Sequence, residues 1–509
     1  MHMVVLVYNS LGWPREDVIR VPVIDEHVIV KDSEDKEIES QLVPILNASV
    51  SLRDFYATAY LGKPPSVTPK YWLAFSASTP PLGFNTYVIS NAKRAAANLK
   101  SRVAYKAEIC GNDIIEVGPG NLKLLFSAKE RKLIQYVNSR TMVKESLEQY
   151  YTYYSGNDGS FDLQASGAYI FRPNLTYSIN SEVCSHFCIS QLKFSYYMFM
   201  LTKSYSYFQV GPIPIDDGLG KEVVTQIKTN IQSNKTFFTD SNGRDFIERI
   251  RNYRKDWNLE VNEPVAGNYY PINHGIYLKD DRTELSVLVD RSMGGSSIVD
   301  GQLELMLHRR LLHDDSRGVA EALNETVCVS TKCAGLTILG KYYLRVDRLG
   351  EGSKWRRSFG QQIYSPFLLA FTEQNRDSWK NSRVLKFSGM DPSYVLPDNV
   401  AMITLQELDD GKILLRLAHL YEIGEDKDLS VMARVELKKI FPNKKIRKIV
   451  ETSLSANQER AEMEKKRLVW QVEGSLGEEP KVVRGGAVDP ANLVVELAPM
   501  EIRTFVIEI

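Results

Sequence analysis

The sequence has little cysteine, no excess charge of either sign and no long apolar run, and each shortage excludes something. Five cysteines in 509 residues are too few for a disulfide scaffold, and the odd number leaves at least one thiol free. Cys184 and Cys188 form a C-x3-C pair, and Cys328 and Cys333 lie close enough to close a small loop. Neither pair is backed by a second at zinc-finger spacing, so a structural zinc is not expected. Lys+Arg and Asp+Glu each number 63. A chain so balanced has no global pull on phosphate backbones or anionic lipid, and nucleic acid is not expected as a partner. The longest purely apolar cluster, residues 196–201, is far short of the roughly 20 residues that cross a bilayer. The first seven residues lack the basic and apolar regions of a signal peptide.

What is present is ordinary globular composition with a β texture. Hydrophobic residues make up 43% and charged residues 25%, too apolar for disorder. Leu285, Val287 and Val289 alternate with Glu284, Ser286 and Asp290, the period-2 pattern of a half-buried strand. Residues 341–346, 412–421 and 492–509 read alike, and Tyr150, Tyr151, Tyr153 and Tyr154 are aromatic in the way strands favour. Turn signals are frequent, among them residues 156–159, Gly294-Gly295, residues 409–411 and Gly485-Gly486. The best helix candidate is 245–253, where Phe246, Ile247, Ile250 and Tyr253 repeat at helical spacing. The charged run 455–467 reads as a solvated helix or a long loop. Many short strands between close turns predict consecutive antiparallel β-sandwiches, a mainly β chain.

The common mechanistic motifs are missing: no phosphate loop, no G-x-S-x-G elbow, no H-E-x-x-H helix. One H-x-D run exists, His313-Asp314-Asp315. It has no third ligand nearby and reads as a polar turn rather than a metal site. The surrounding stretch, 289–321, reads as a strand, a Gly-Gly turn, a second strand over 302–312 and an acidic turn closed by Arg317-Gly318. Arg309 and Arg310 would then pair with acids on its surface. Sequons at Asn47, Asn174, Asn234 and Asn324 are candidate glycosylation acceptors, compatible with a secretory compartment.

Longer segments carry a resemblance. Residues 289–321, the opening Val7-Tyr8-Asn9-Ser10-Leu11-Gly12-Trp13, then Ser166-Gly167-Ala168-Tyr169-Ile170-Phe171-Arg172-Pro173-Asn174 and Gly211-Pro212-Ile213-Pro214 are similar to glycoside hydrolase family 38. So are Thr239-Asp240-Ser241-Asn242-Gly243-Arg244-Asp245, the stretch 263–271, the stretch 415–422 and Pro499-Met500-Glu501-Ile502-Arg503-Thr504. In order and over nearly the whole chain they resemble the C-terminal half of the plant lysosomal-type (vacuolar) alpha-mannosidases.

That resemblance implies three units: a small β-sandwich over 1–95, a galactose-mutarotase-like supersandwich over 96–387, and a C-terminal β-sandwich over 388–509. It implies a complete enzyme that removes alpha-D-mannose from N-glycan oligosaccharides in the vacuole or lysosome, with zinc in an α/β catalytic domain. The motifs for the zinc ligands and the nucleophilic Asp belong upstream in the family, and none is found here. No catalytic residue, metal ligand or cofactor is therefore expected in this chain, whose partners would be a mannose-containing oligosaccharide and that catalytic domain. The alternatives are a non-catalytic carbohydrate-binding β-sandwich and an inactive truncated product. The family's S-G-A-Y tyrosine and D-D-x-R-G arginine match Tyr169 and Arg317, which would contact substrate in an intact enzyme. Against these stand inter-domain packing for Tyr169 and a turn-stabilising ion pair with Asp314 or Asp315 for Arg317. The resemblance also implies a Cys328–Cys333 disulfide. The stretch 179–208 departs from the family pattern like a mis-spliced or divergent exon, and early local opening is expected over 175–210.

Overall fold

The structure is a computed structural model. It describes all residues except 1, 46, 92–100, 104–108, 111–113, 119–120, 128, 131, 161–162, 180–204, 330–331, 375, 469, 471–482 and 490. Nearly all of the expected departure at 179–208 lies outside the described residues. Among the described residues no helix is long and apolar enough to cross a membrane.

The chain is mainly β, in stacked sheets that are antiparallel except where Ser40–Pro44 pairs in parallel with Ser101–Val103. The first sandwich sets one sheet, built on His2–Asn9 and Gly83–Asn91, against a second ordered Arg15–Val23, Tyr71–Thr79, Ser40–Pro44 and Ser101–Val103. Alternating residues fill the space between them: Val5 and Val7, Ile19 and Val21, Leu73 and Phe75. The helix Asn47–Leu61 had no counterpart in the sequence reading. Its apolar residues Phe55, Tyr56, Tyr60 and Leu61 are exposed, so no buried stripe announced it.

Strand pairings cross the expected unit boundary at 95. His2–Asn9 is flanked by Leu368–Gln374, register Val5↔Phe371, and Gly83–Asn91 also receives Lys386–Ser388. The last strands of the 96–387 stretch therefore complete the N-terminal sheet. Nothing local marks such a long-range pairing.

The middle of the chain packs two six-stranded sheets and a five-stranded one around a single core. One six-stranded sheet runs Pro173–Ser178, Glu148–Gly156, Lys221–Lys228, Gln302–Arg310, Met293–Ser296 and Tyr270–Ile272. The other runs Tyr205–Val210, Ile338–Arg348, Thr283–Val289, Gly275–Lys279, Thr236–Ser241 and Asp245–Ile250. Val223, Ile227, Leu303, Leu305, Val287 and Leu344 meet between them.

Two local expectations are corrected. Residues 245–253 are not a helix: Asp245–Ile250 pairs with Thr236–Ser241, and Asn242 and Gly243 turn the chain at φ of 51° and 73°. Those positive angles suit Asn and Gly and close a hairpin, which overrides the helical spacing. Gly294-Gly295 is not a turn either but lies within the strand Met293–Ser296. A Cβ on Gly295 would stand 2.9 Å from Ile272 Cδ1, so the glycine permits close packing; the turn follows at Gly301, φ 72°.

The third unit has a sheet ordered Val400–Glu407, Ile413–His419, Ile502–Glu508 and Lys448–Thr452, with the pair Ala433–Glu436 and Val494–Leu497 beside it. The charged run near 460 is a short exposed helix, Arg460–Lys465. Arg357, nearly fully buried, ties the middle unit to the third through Glu422 at 2.7 Å and Glu425 at 2.8 Å.

Candidate functional site

The candidate site is a loop at one end of the first six-stranded sheet. Glu148–Gly156 and Pro173–Ser178 are antiparallel partners, so residues 157–172 form the long connection between them. The loop is closed at its neck: Asn157 N donates to Arg172 O at 2.9 Å, and Ser166 N donates to Asn157 O at 2.9 Å. Ser166 Oγ donates to Arg172 O at 2.7 Å and accepts from Arg172 N at 2.8 Å. Gly167 N donates to Ile170 O at 3.0 Å, a tight turn with Ala168 and Tyr169 at its tip.

Phe171 fixes the loop to the sheet. Its ring packs edge-on against Tyr154 and Tyr269, centroids 5.8 and 4.8 Å away. The hydroxyls of Tyr154 and Tyr269 both donate to Glu304 Oε2, at 2.9 and 2.7 Å. Burial first, and then the Glu304 carboxylate, push both phenols well above their ordinary range, so they stay protonated donors.

The second part of the site follows the strand Gln302–Arg310. Asp315, 1% exposed, accepts from the backbone N–H groups of Tyr169 at 2.6 Å and Ile170 at 2.8 Å with Oδ2, and from Arg317 N at 3.2 Å with Oδ1. Burial works against its charge, yet the N–H groups of Ile170, Tyr169 and Arg317 and the charge of Arg309 together hold the carboxyl below the usual range. Arg309 caps the loop from behind: Nη2 donates to the carbonyls of Gly167 and Ile170, each at 2.8 Å, and Nη1 to that of Ala168 at 3.3 Å. Its charge is balanced by Glu222, fully buried, at 2.6 Å. Burial raises the Glu222 carboxyl and Arg309 pulls it back.

Tyr169 and Arg317, far apart in sequence, are thus brought to the two sides of one carboxylate. Tyr169 is 68% exposed. The guanidinium of Arg317 donates to Gln164 Oε1, and its backbone, not its charge, engages Asp315. The expected alternative of an Arg317 ion pair with Asp314 or Asp315 is therefore corrected: the guanidinium turns to the Gln164 side-chain amide oxygen instead. The surface pairing expected for Arg309 and Arg310 is also corrected. Arg309 meets a buried acid, and Arg310 donates to Asn324 Oδ1 at 2.7 Å and Ile213 O at 2.7 Å.

Sequence reasoning missed Asp315 as a ligand of backbone groups, along with Arg309, Glu222 and Gly167. One signal was readable for Gly167. It lies between small residues where a chain presses on another, and a Cβ there would stand 2.6 Å from Asp315 Cβ and 2.7 Å from Asp315 N.

Other expected positions lie elsewhere. Asn47 opens the helix Asn47–Leu61, Asn174 and Asn234 are exposed, and Asn324 is half-buried beside Arg310. Cys328 and Cys333 are directly paired across a two-stranded hairpin and joined by a disulfide. Among the described residues no three His, Cys, Asp or Glu side chains gather as a metal site would require.

Three family models match the chain. Residues 207–317 match the glycosyl hydrolases family 38 C-terminal domain, and residues 399–505 match the glycosyl hydrolases family 38 C-terminal beta sandwich domain. Residues 38–89 match the lysosomal alpha-mannosidase-like central domain. A probable alpha-mannosidase of Arabidopsis thaliana is 57% identical over 100% of this chain and 52% of its own length. An alpha-mannosidase of Canavalia ensiformis is 47% identical over 99% of this chain and 53% of its own. The lysosomal alpha-mannosidase of Homo sapiens is 33% identical over 98% and 48%. The chain spans about half the length of the curated relatives it matches. In fold, it is similar to the crystal structure of an alpha-mannosidase from Enterococcus faecalis, with a TM-score of 0.52 at 11% identity, covering 100% of this chain and 56% of that one. The chain belongs to glycoside hydrolase family 38 and carries the C-terminal β-rich domains of that family.

Proposed function

We propose that these residues form the β-rich part of a vacuolar or lysosomal alpha-mannosidase that removes terminal alpha-D-mannose from N-glycan oligosaccharides. In this reading the chemistry belongs to an α/β catalytic domain that holds zinc, and this chain scaffolds it and closes one wall of the sugar site. The observation that carries the reading is the convergence of Tyr169 and Arg317 on Asp315, with the Tyr169 ring held out to solvent. A phenol hydroxyl both donates and accepts, which suits the paired donor and acceptor character of sugar hydroxyls.

Retaining hydrolysis needs a nucleophilic carboxylate and an acid/base on either side of the scissile bond. The carboxylate beside Tyr169 is Asp315, and its oxygens are taken by three N–H groups. Orientation of the sugar, rather than bond cleavage, is what these residues can do.

The test is hydrolysis of an aryl alpha-mannoside by this chain alone and by the chain co-expressed with the catalytic half of a plant relative. Turnover is expected only in the joined protein, and Tyr169→Phe should lower it about 3- to 10-fold, the worth of one hydrogen bond. Turnover by the chain alone, or an indifferent Y169F, would overturn the reading. Saturable mannoside binding without turnover in the joined protein would favour the non-catalytic carbohydrate-binding alternative.

A further inference from the structure

We propose that Asp315 is the positioning residue of the sugar wall, the carboxylate that fixes the Tyr169 turn directly to the Arg317 turn. The inference rests on the reading of Tyr169 as a sugar contact, and its structural half stands on geometry alone.

The tip of the loop at 167–170 has a short inventory of restraints. Its only internal backbone bond is Gly167 N to Ile170 O. Its outward carbonyls at 167, 168 and 170 are met by Arg309, and its N–H groups at 169 and 170 are met by Asp315. A cation therefore holds the carbonyl side and an anion the N–H side, which sets both the position and the tilt of the peptide planes around Tyr169. Charge-assisted bonds of this kind are roughly twice as strong as neutral ones. Asp315 is itself a turn residue, and Oδ1 binds the N–H two residues on, at Arg317, as Asx turns do. One carboxylate thus spans two turns that lie about 146 residues apart in sequence.

The fit leaves no slack. Gly167 presses on the Asp315 backbone so closely that a Cβ would stand 2.7 Å from Asp315 N. Ser316, Gly318 and Ala320 take φ of 57°, 107° and 60°, so the turn carrying Asp315 is itself tightly bent. An asparagine at 315 cannot replace the carboxylate. Two of the three N–H groups fall to one oxygen and the third to the other, so any amide orientation sets its NH2 against at least one backbone donor.

Asp315→Asn and Gly167→Ala test the proposal in the full 509-residue chain. Hydrogen exchange followed by mass spectrometry reports peptides covering 163–172 and 313–318, with Thr283–Val289 as the internal reference. Both variants should speed exchange in those two loops by at least tenfold and leave the reference strand unchanged. Unchanged exchange in both variants overturns the clamp. Binding of methyl alpha-D-mannopyranoside by the same variants joined to the catalytic half of a plant relative, read by saturation-transfer NMR, tests what the clamp is for. D315N should weaken the mannoside about as much as Tyr169→Ala does, and the double variant should weaken it no further, a non-additivity that a merely structural role would not produce. Fast exchange with undiminished binding in D315N, while Y169A loses it, overturns the positioning role. If the joined wild-type protein shows no mannoside signal, the sugar-wall reading fails instead, and exchange alone then decides the clamp.

Discussion

Asp347 is a fully buried carboxylate on the strand Ile338–Arg348, directly across from the buried Glu284. Burial pushes its carboxyl up to about 6; Arg345, at 2.7 Å, pulls it back, and the charge of Glu284 adds to the rise. A carboxyl raised in the folded state binds protons that the unfolded chain would release, so it favours the fold as pH falls. Its charged form costs stability above pH 6, and the cost disappears as pH drops toward the ordinary value near 4. Asp347→Asn should therefore stabilise the chain by about 2–3 kcal/mol at pH 7.5 and change little at pH 4. Urea melts of both proteins at the two pH values measure it, and an equal difference at each pH would refute it. His274, His308 and His419, all lowered chiefly by burial, act the other way, because the fold resists their protonation as pH falls below about 6.5. The comparison with D347N isolates the Asp347 term from theirs. Sequence placed Tyr169 and Arg317 through family motifs but could not find Asp315 or Asp347. A carboxylate's role depends on which distant N–H or acid faces it, and no local pattern records that.

At the scale of elements, legibility followed whether the deciding interaction was local. Ile338–Arg348 was readable because one face is buried and period 2 survives, whereas Thr283–Val289, expected to be half-buried, is buried on both faces, Glu284 and Ser286 included. Asp245–Ile250 was not, because this edge strand buries none of its residues and the scattered Phe246, Ile247 and Ile250 mimic a helix. The hairpin Thr326–Val329 with Lys332–Gly335 is a two-stranded sheet and carries Cys328 opposite Cys333. Two strands alone are marginal in water, so the covalent link matters more to this element than to the molecule. With a sequence separation of 5, loop-closure entropy gives about 2 kcal/mol as an upper figure. Cys328→Ser with Cys333→Ser should speed hydrogen exchange within 326–335 and shift the global melting temperature by no more than a few degrees. Peptide mapping of the unreduced protein made in an oxidising compartment checks the link itself. Two free thiols, or a global loss well above 2 kcal/mol, would count against this account.

The whole molecule is interleaved in a way that its three expected units conceal. The N-terminal sheet is completed by Leu368–Gln374, and residues Leu11, Trp13 and Leu82 are buried in the core of the C-terminal unit with Met390 and Leu396. Gly12 is part of that seam: a Cβ there would stand 2.3 Å from Leu396 Cδ1, and Gly12 O accepts from Leu396 N at 3.1 Å. Trp13 Nε1 donates to Pro397 O at 3.3 Å. Cutting the chain at 95 and 387 would therefore not release independent domains. A fragment 1–95 leaves His2–Asn9 as a bare apolar edge, a template for aggregation. A fragment 388–509 loses three large apolar side chains from its core, each worth about 1.5–3 kcal/mol of burial, a sum comparable to the whole stability of a small domain. We expect neither fragment to unfold cooperatively, whereas the full chain should melt with the first and third units in one transition. Calorimetry on the three proteins decides it. A sharp melt of isolated 388–509 within a few degrees of the full chain would mean that Leu11, Trp13 and Leu82 cap a core already stable without them.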